Sequence, residues 1–246
     1  MAGKYFFLFL ALASSVLSCS PYKALKRDFM RSKASIDYIH TSTKTGKLSR
    51  TEIIFLPPPT ISASIPEVSE VKRVTNEVVP LIIFNQWNHQ YQCILGKKEI
   101  KEDLTSFLSA SLIEEGKRRG FQFDNQAADQ PLQLEITIES VNAQGPYSNT
   151  GFFAYFVFLY FTQTVEKAGP AMAESRFHFK LKRDGVIVLD DSVTSSATFE
   201  PLQWEGMSFT QLHVAYRASL AELLGNTFEQ NIDKVLWRVA STLSKM

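Results

Sequence analysis

The sequence predicts an α+β fold, an antiparallel sheet with amphipathic helices packed on one face. Leu132, Leu134, Ile136 and Ile138 alternate with Gln133, Glu135, Thr137 and Glu139, the period of a strand with one buried and one wet face. Ile100, Leu104, Phe107, Leu108, Ser111 and Leu112 recur at helical spacing and fall on a single face. The predicted order (strand, helix, three antiparallel strands, helix) is that of a sheet covered by a helical layer.

At the N-terminus, Lys4 precedes the apolar run Tyr5–Ala13, and Ser14–Ser18 then turns smaller and more polar, the order of a secretory signal. The run is far short of the ~20 residues that span a bilayer. Val16-Leu17-Ser18-Cys19 resembles the lipobox of bacterial lipoproteins: aliphatic at −3, small at −1, then Cys, with Leu17 bulkier than usual at −2. The resemblance implies removal of residues 1–18, diacylation of the Cys19 sulfur and acylation of its new amine. Cys19 is then the lipidation site, and the membrane is a partner through the N-terminal lipid. Ordinary secretion, with cleavage after Ala11-Leu12-Ala13, is the alternative. Ser20, in place of Asp, would favour the outer membrane under enterobacteria-like sorting. Acyl chains contribute ~0.8 kcal/mol per buried methylene, so two or three hold a protein permanently.

Lys4 is the only charge of the signal, and the whole chain has 26 basic and 25 acidic residues, so the remainder is balanced. A net charge near zero gives no general attraction to nucleic acid, and no nucleic-acid partner is expected. With Cys19 acylated, Cys93 is the only thiol left, and the fold must stand on its hydrophobic core without a disulfide.

Residues 19–50 are basic and polar, with Lys23, Lys26, Arg27, Arg31, Lys33, Lys44, Lys47 and Arg50, and predict a tether with a short strand at Ile36–Ile39. Residues 51–246 predict a single periplasmic domain. Thr51–Leu56 is a strand stopped by Pro57-Pro58-Pro59, an extended connector. Val78–Phe84 is apolar on both sides and predicts a buried strand starting near Pro80, with Tyr91, Cys93 and Leu95 on a continuation or paired strand. The helix from Ile100 has Glu99, Glu102 and Asp103 at its start, Lys117, Arg118 and Arg119 at its end, and Gly120 as its C′ residue. Phe177–Arg183 predicts a strand turning through Arg183-Asp184-Gly185, so that Leu181 faces Ile187 and Phe179 faces Leu189. Two helices close the chain. One runs over Leu212–Leu224 and ends at Gly225, and the other starts at an Asn226–Glu229 capping box.

Between strands ending near Asn142 and starting near Ala173 lies an aromatic insert, about residues 146–170. Its centre holds Phe152, Phe153, Tyr155, Phe156, Phe158, Tyr160 and Phe161, seven aromatics in ten residues. Strand and helix are equally compatible with it. Either it is a doubly buried core element, or it is a partner- or membrane-binding surface at these seven residues.

No catalytic or metal constellation stands out, and neither a cofactor nor enzymatic activity is expected. His40, His89, His178 and His213 are isolated in sequence, and there is no Gly-rich phosphate loop. Asp190-Asp191 and Glu114-Glu115 are adjacent acids that point to opposite faces, and Cys93 has only His89 as a conceivable base. Arg118-Arg119 is accounted for by compensation of the helix dipole.

The lipobox and this element order resemble small periplasmic lipoproteins of the LPS-assembly type, and the auxiliary lipoproteins of lipid-trafficking ABC transporters. The resemblance covers residues 78–246 in element order only and transfers no residue roles. It implies a lipid-anchored accessory component of the cell envelope that binds a membrane protein partner. The alternative is a periplasmic binding module for a lipid or other apolar ligand.

Overall fold

The structure, a computed structural model, describes residues 21–31, 33–36, 53–62, 65–80, 84–126, 130–156, 159–203 and 206–245. The signal segment, Cys19, Phe158 and most of the expected tether lie outside them. The part of the tether that is described departs from expectation. Pro21–Arg31 forms helix α1, which buries Leu25, Asp28 and Phe29 and exposes Lys23, Lys26, Arg27 and Arg31. Leu25 and Phe29 stand one turn apart, so two apolar anchors dock a helix whose exposed positions are basic. The chain then makes a parallel bridge from Ala34 to Ile100, and Glu102 accepts the Ile36 N–H at 2.9 Å.

The strands are β1 (Ile53–Phe55), β2 (Thr60–Ile61), β3 (Glu70–Pro80), β4 (Phe84–Ile94), β5 (Gln122–Asp124), β6 (Leu132–Phe156), β7 (Leu159–Ala168), β8 (Ala171–Arg183), β9 (Val186–Phe199) and β10 (Leu202–Gln203). Helix α2 (Leu104–Arg118) lies between β4 and β5, and α3 (Phe209–Leu243) closes the fold. The fold is α+β, as expected, and its one sheet is antiparallel except where the short strands β1, β2 and β5 pair in parallel.

β6 is the spine. Its first half pairs with β8 on one edge and with β1 and β2 on the other; its second half pairs with β7 and β4 on those same edges. β7 and β8 are therefore nearly one strand, interrupted at Gly169-Pro170. The aromatic segment is not an insert between strands. It is the outer end of β6 together with the start of β7, and it is strand on both arms.

Val78–Phe84 is also not one buried strand. Val78 and Val79 are exposed near the end of β3, Phe84 begins β4, and residues 81–83 lie outside the described set. Pro80 thus closes a strand. At the other end of the sheet, Asp184 and Gly185 form a two-residue turn with φ of 50° and 78°, which pairs Arg183 with Val186. The expected three-residue loop is absent. A register shift after Lys182 nevertheless brings Leu181 opposite Leu189, but it sets Phe179 opposite Asp191. The bulge gives Leu181 an apolar partner, but neither expected pairing, Leu181 with Ile187 or Phe179 with Leu189, forms.

The two C-terminal helices are one. Gly225 is buried inside α3, and the Thr227 hydroxyl donates to the Leu224 carbonyl at 2.8 Å and accepts from Ser175 at 2.9 Å. Asn231 extends this polar stripe, donating to the Ser175 carbonyl at 2.9 Å and accepting from Ser195 at 2.7 Å. These bonds fix α3 across β8 and β9, so packing overrides the weak helix preference of Gly225. The capping box sits instead at Ser208 and Gln211. Ser208→Ala is accordingly expected to cost about 1 kcal/mol in a denaturant titration. Asn226→Ala should stay within about 0.5 kcal/mol of the parent, the range of an ordinary substitution.

Candidate functional site

Where β6 outruns its neighbours, the hairpins β3–β4 and β6–β7 stand side by side as a four-stranded blade. Phe84 pairs with Ala154, Tyr155 with Tyr160 and Phe156 with Leu159, so both hairpins turn at the same end. Phe156 is 66% exposed, Leu159 63%, Tyr160 69% and Phe161 57%. Adjacent strand residues point to opposite faces, so this exposure means that both faces of the tip are uncovered. Phe152, Phe153 and Tyr155 are half-buried. Phe84 stacks on Phe152 at 5.7 Å, and Phe153 on Tyr160 at 6.3 Å. The doubly buried alternative is thereby excluded for the described part of the segment. Val78, Val79 and Phe84, read from sequence as core, join the same surface.

Two features hold the blade in shape. A Cβ on Gly151 would lie 2.3 Å from the Gln163 carbonyl oxygen and 2.4 Å from the Trp87 ring, so only glycine lets these strands approach. Trp87 Nε1 donates to Asn149 Oδ1 at 2.7 Å, and Asn149 Nδ2 and the Tyr147 hydroxyl both donate to the Glu166 carboxylate. Neither Asp nor Glu, Lys nor Arg occurs between Val78 and Gly96 or between Ser140 and Val165. That signal was legible in the sequence and marks the blade.

At the blade's base, α1, α3 and the sheet meet around His213, which the sequence left isolated. Its Nδ1 lies 3.1 Å from Asp28 Oδ2, and its Nε2 lies 3.4 Å from Glu166 Oε2. Arg217 donates to the carbonyls of Asp28 and Phe29 at 3.2 and 3.3 Å. Burial opposes ionisation of Asp28, but hydrogen bonds from Arg27, His213 and Thr210 outweigh it and hold the carboxyl below its ordinary range. Burial, with a lesser contribution from Glu166, pushes the Tyr147 hydroxyl far up. His213, Asp28 and Glu166 are each below 5% exposed, so this cluster couples elements and offers no opening to a substrate.

The other polar candidates are buried or paired in place. Cys93 has no exposed surface and burial pushes its thiol up, while burial and Arg73 lower the His89 ring, so the pair lacks a reachable thiolate. Asp190 faces His178 and Lys180, whereas Asp191 faces Arg238, on opposite sides of β9 as expected. Glu114 pairs with Arg118 on the surface. Arg119 does more than balance a dipole, because it is buried against Glu115 at 2.8 Å and also bonds Asp233 of α3. No group of three or more His, Cys, Asp or Glu residues that could hold a metal occurs among the described residues. None of the described helices is long and apolar enough to cross a membrane.

No family model matches the chain, and no curated protein matches it in sequence. Among solved structures it is similar to protein XCC0632 of Xanthomonas campestris, family DUF330, at 10% identity and TM-score 0.47, covering 87% of this chain and 97% of that one. It is also similar to protein CT253 of Chlamydia trachomatis at 4% identity and TM-score 0.43, covering 80% and 100%. A neuraminyllactose-binding hemagglutinin homolog from Helicobacter pylori follows at 11% identity and TM-score 0.33, covering 85% and 94%. At these scores the likeness carries no argument about function, which rests on the chain's own residues.

Proposed function

We propose that this chain is a non-enzymatic lipoprotein of the bacterial cell envelope, anchored through Cys19, that engages a membrane-embedded protein partner with its aromatic blade. The observation that carries this reading is the blade tip. Phe156, Leu159, Tyr160 and Phe161 are each more than half exposed and contiguous in the strand register, and surfaces of this kind mark docking sites. The space between the sheet and α3, where an apolar ligand would sit under the alternative, is filled by Phe177, Phe179, Phe228 and Leu236, all without exposed surface.

The test is the double variant Phe156→Ser with Phe161→Ser. Both side chains are largely in solvent, so stability should change by no more than about 0.5 kcal/mol for each. Membrane proteins recovered with the parent chain from solubilised envelopes should be lost from the variant, as read by quantitative mass spectrometry. Unchanged recovery would remove the blade from the account.

A further inference from the structure

The blade sorts its residues by polarity with distance from the tip. The outermost rows are Phe156 with Leu159, Tyr155 with Tyr160, and Phe84 with Ala154 and Phe161. Behind them come Asn85, Phe153 and Thr162, then Val79, Gln86, Phe152 and Gln163, then Val78, Trp87, Gly151 and Thr164. This second zone is mixed but uncharged. Charge begins with Glu77 and, one row farther back, Glu166. At ~3.3 Å per residue the apolar rows span about 7 Å, and the first charge lies about 20 Å from the tip. A protein pocket imposes no such order. A lipid leaflet does: hydrocarbon first, then a level that favours Tyr, Trp and uncharged polar groups, then charged headgroups. The uncharged length is below the ~30 Å of a bilayer core, so such a blade ends within one leaflet.

The start of the chain supplies an independent constraint. Only Ser20 separates Cys19 from α1, so an acylated Cys19 keeps Pro21 within about 7 Å of the leaflet. Tyr22 fixes that end of α1 to the blade's base, with its ring 5.8 Å from Tyr91 and the Arg73 guanidinium 5.0 Å from its centroid. The Tyr91–Tyr147 row is seven residues behind the Phe84–Ala154 row, about 23 Å. A membrane this close to α1 meets the tip when the blade leans along it. The exposed Lys23, Lys26 and Arg27 of α1 then stand at the level of lipid phosphates.

We propose that the blade leans onto the leaflet holding the Cys19 acyl chains and seats its tip rows in the acyl–headgroup interface of that leaflet. This rests on the reading that Cys19 is acylated and the blade docks, and it assigns the tip to lipid in preference to the protein partner.

The test uses the full acylated chain carrying Leu159→Cys, labelled with an environment-sensitive fluorophore. It is reconstituted without other proteins in phosphatidylethanolamine–phosphatidylglycerol vesicles, with and without nitroxide-bearing acyl chains. Cys93 has no exposed surface and does not compete for the label. Val186→Cys, exposed at the opposite end of the sheet, is the control. The expected result is a blue shift at position 159 and loss of most of its emission to shallow nitroxides, with neither change at 186. Water-like emission at 159 overturns the proposal. If recovery of the partner still depends on Phe156 and Phe161, protein covers the tip and the preceding reading stands. A mature chain whose mass lacks acyl groups overturns both.

Discussion

Asp28→Ala is expected to destabilise the protein by about 3–5 kcal/mol, the scale for removing one partner from a buried charged group. Asp28 is 4% exposed, and its carboxylate accepts from Arg27, Thr210 and His213, joining α1 to α3 at the foot of the blade. Removing it leaves His213 with the Glu166 carboxylate alone and loosens the segment whose carbonyls Arg217 holds. The pH dependence follows from the lowered value of the folded carboxyl. An aspartate of depressed pKa contributes stability that is complete above its unfolded value, ~3.9, and is lost as pH falls through the folded value. The gap between parent and variant, read by denaturant titration, should therefore be constant near neutrality and narrow only below about pH 4. A tether would respond differently, with a change within about 0.5 kcal/mol at every pH.

Phe228→Ala should cost about 3–5 kcal/mol. Phe228 is fully buried where three elements converge, meeting Phe177 of β8 edge-to-face at 4.9 Å and Phe107 of α2 at 5.9 Å. Aromatic geometry adds to area burial at such a contact, and the truncated side chain leaves a void that its neighbours cannot close. For a chain of this size the loss corresponds to a fall in Tm of roughly 6–20 °C, measurable by calorimetry. A fall of only one or two degrees would mean that the space between sheet and helices is loosely filled, and would revive the apolar-ligand alternative.

Strict two-residue alternation made β6 and β8 legible, and helical spacing over Leu104–Leu112 with Gly120 at φ 87° made α2 legible, because these signals are local. The helix nevertheless starts at Leu104, where the Asp103 side chain caps it, and not at Ile100 as expected. The failures share a cause, which is that tertiary contacts outvoted local rules. Gly225 and Asn226 carry a helix stop and a helix start, yet the Ser175–Thr227–Asn231 stripe holds α3 straight through them. In Pro21–Arg31, two apolar residues and one buried Asp outweigh four Lys and Arg, through partners on α3 that lie far away in sequence. The aromatic segment was found by composition, but whether it lay buried depended on whether other elements reached it. The contribution of Val78, Val79 and Phe84 was concealed because an exposed apolar strand and a buried one have the same sequence signature.

The most direct test of the account is thiol accessibility in native envelope membranes, using Leu159→Cys and Val186→Cys with a bulky, membrane-impermeant maleimide after the outer barrier is opened. Both positions are more than 60% exposed in the isolated fold. Position 159 is expected to be shielded in the membrane and to become reactive when detergent releases the protein, while position 186 reacts in both states. Equal labelling of the two positions in intact membranes would contradict it.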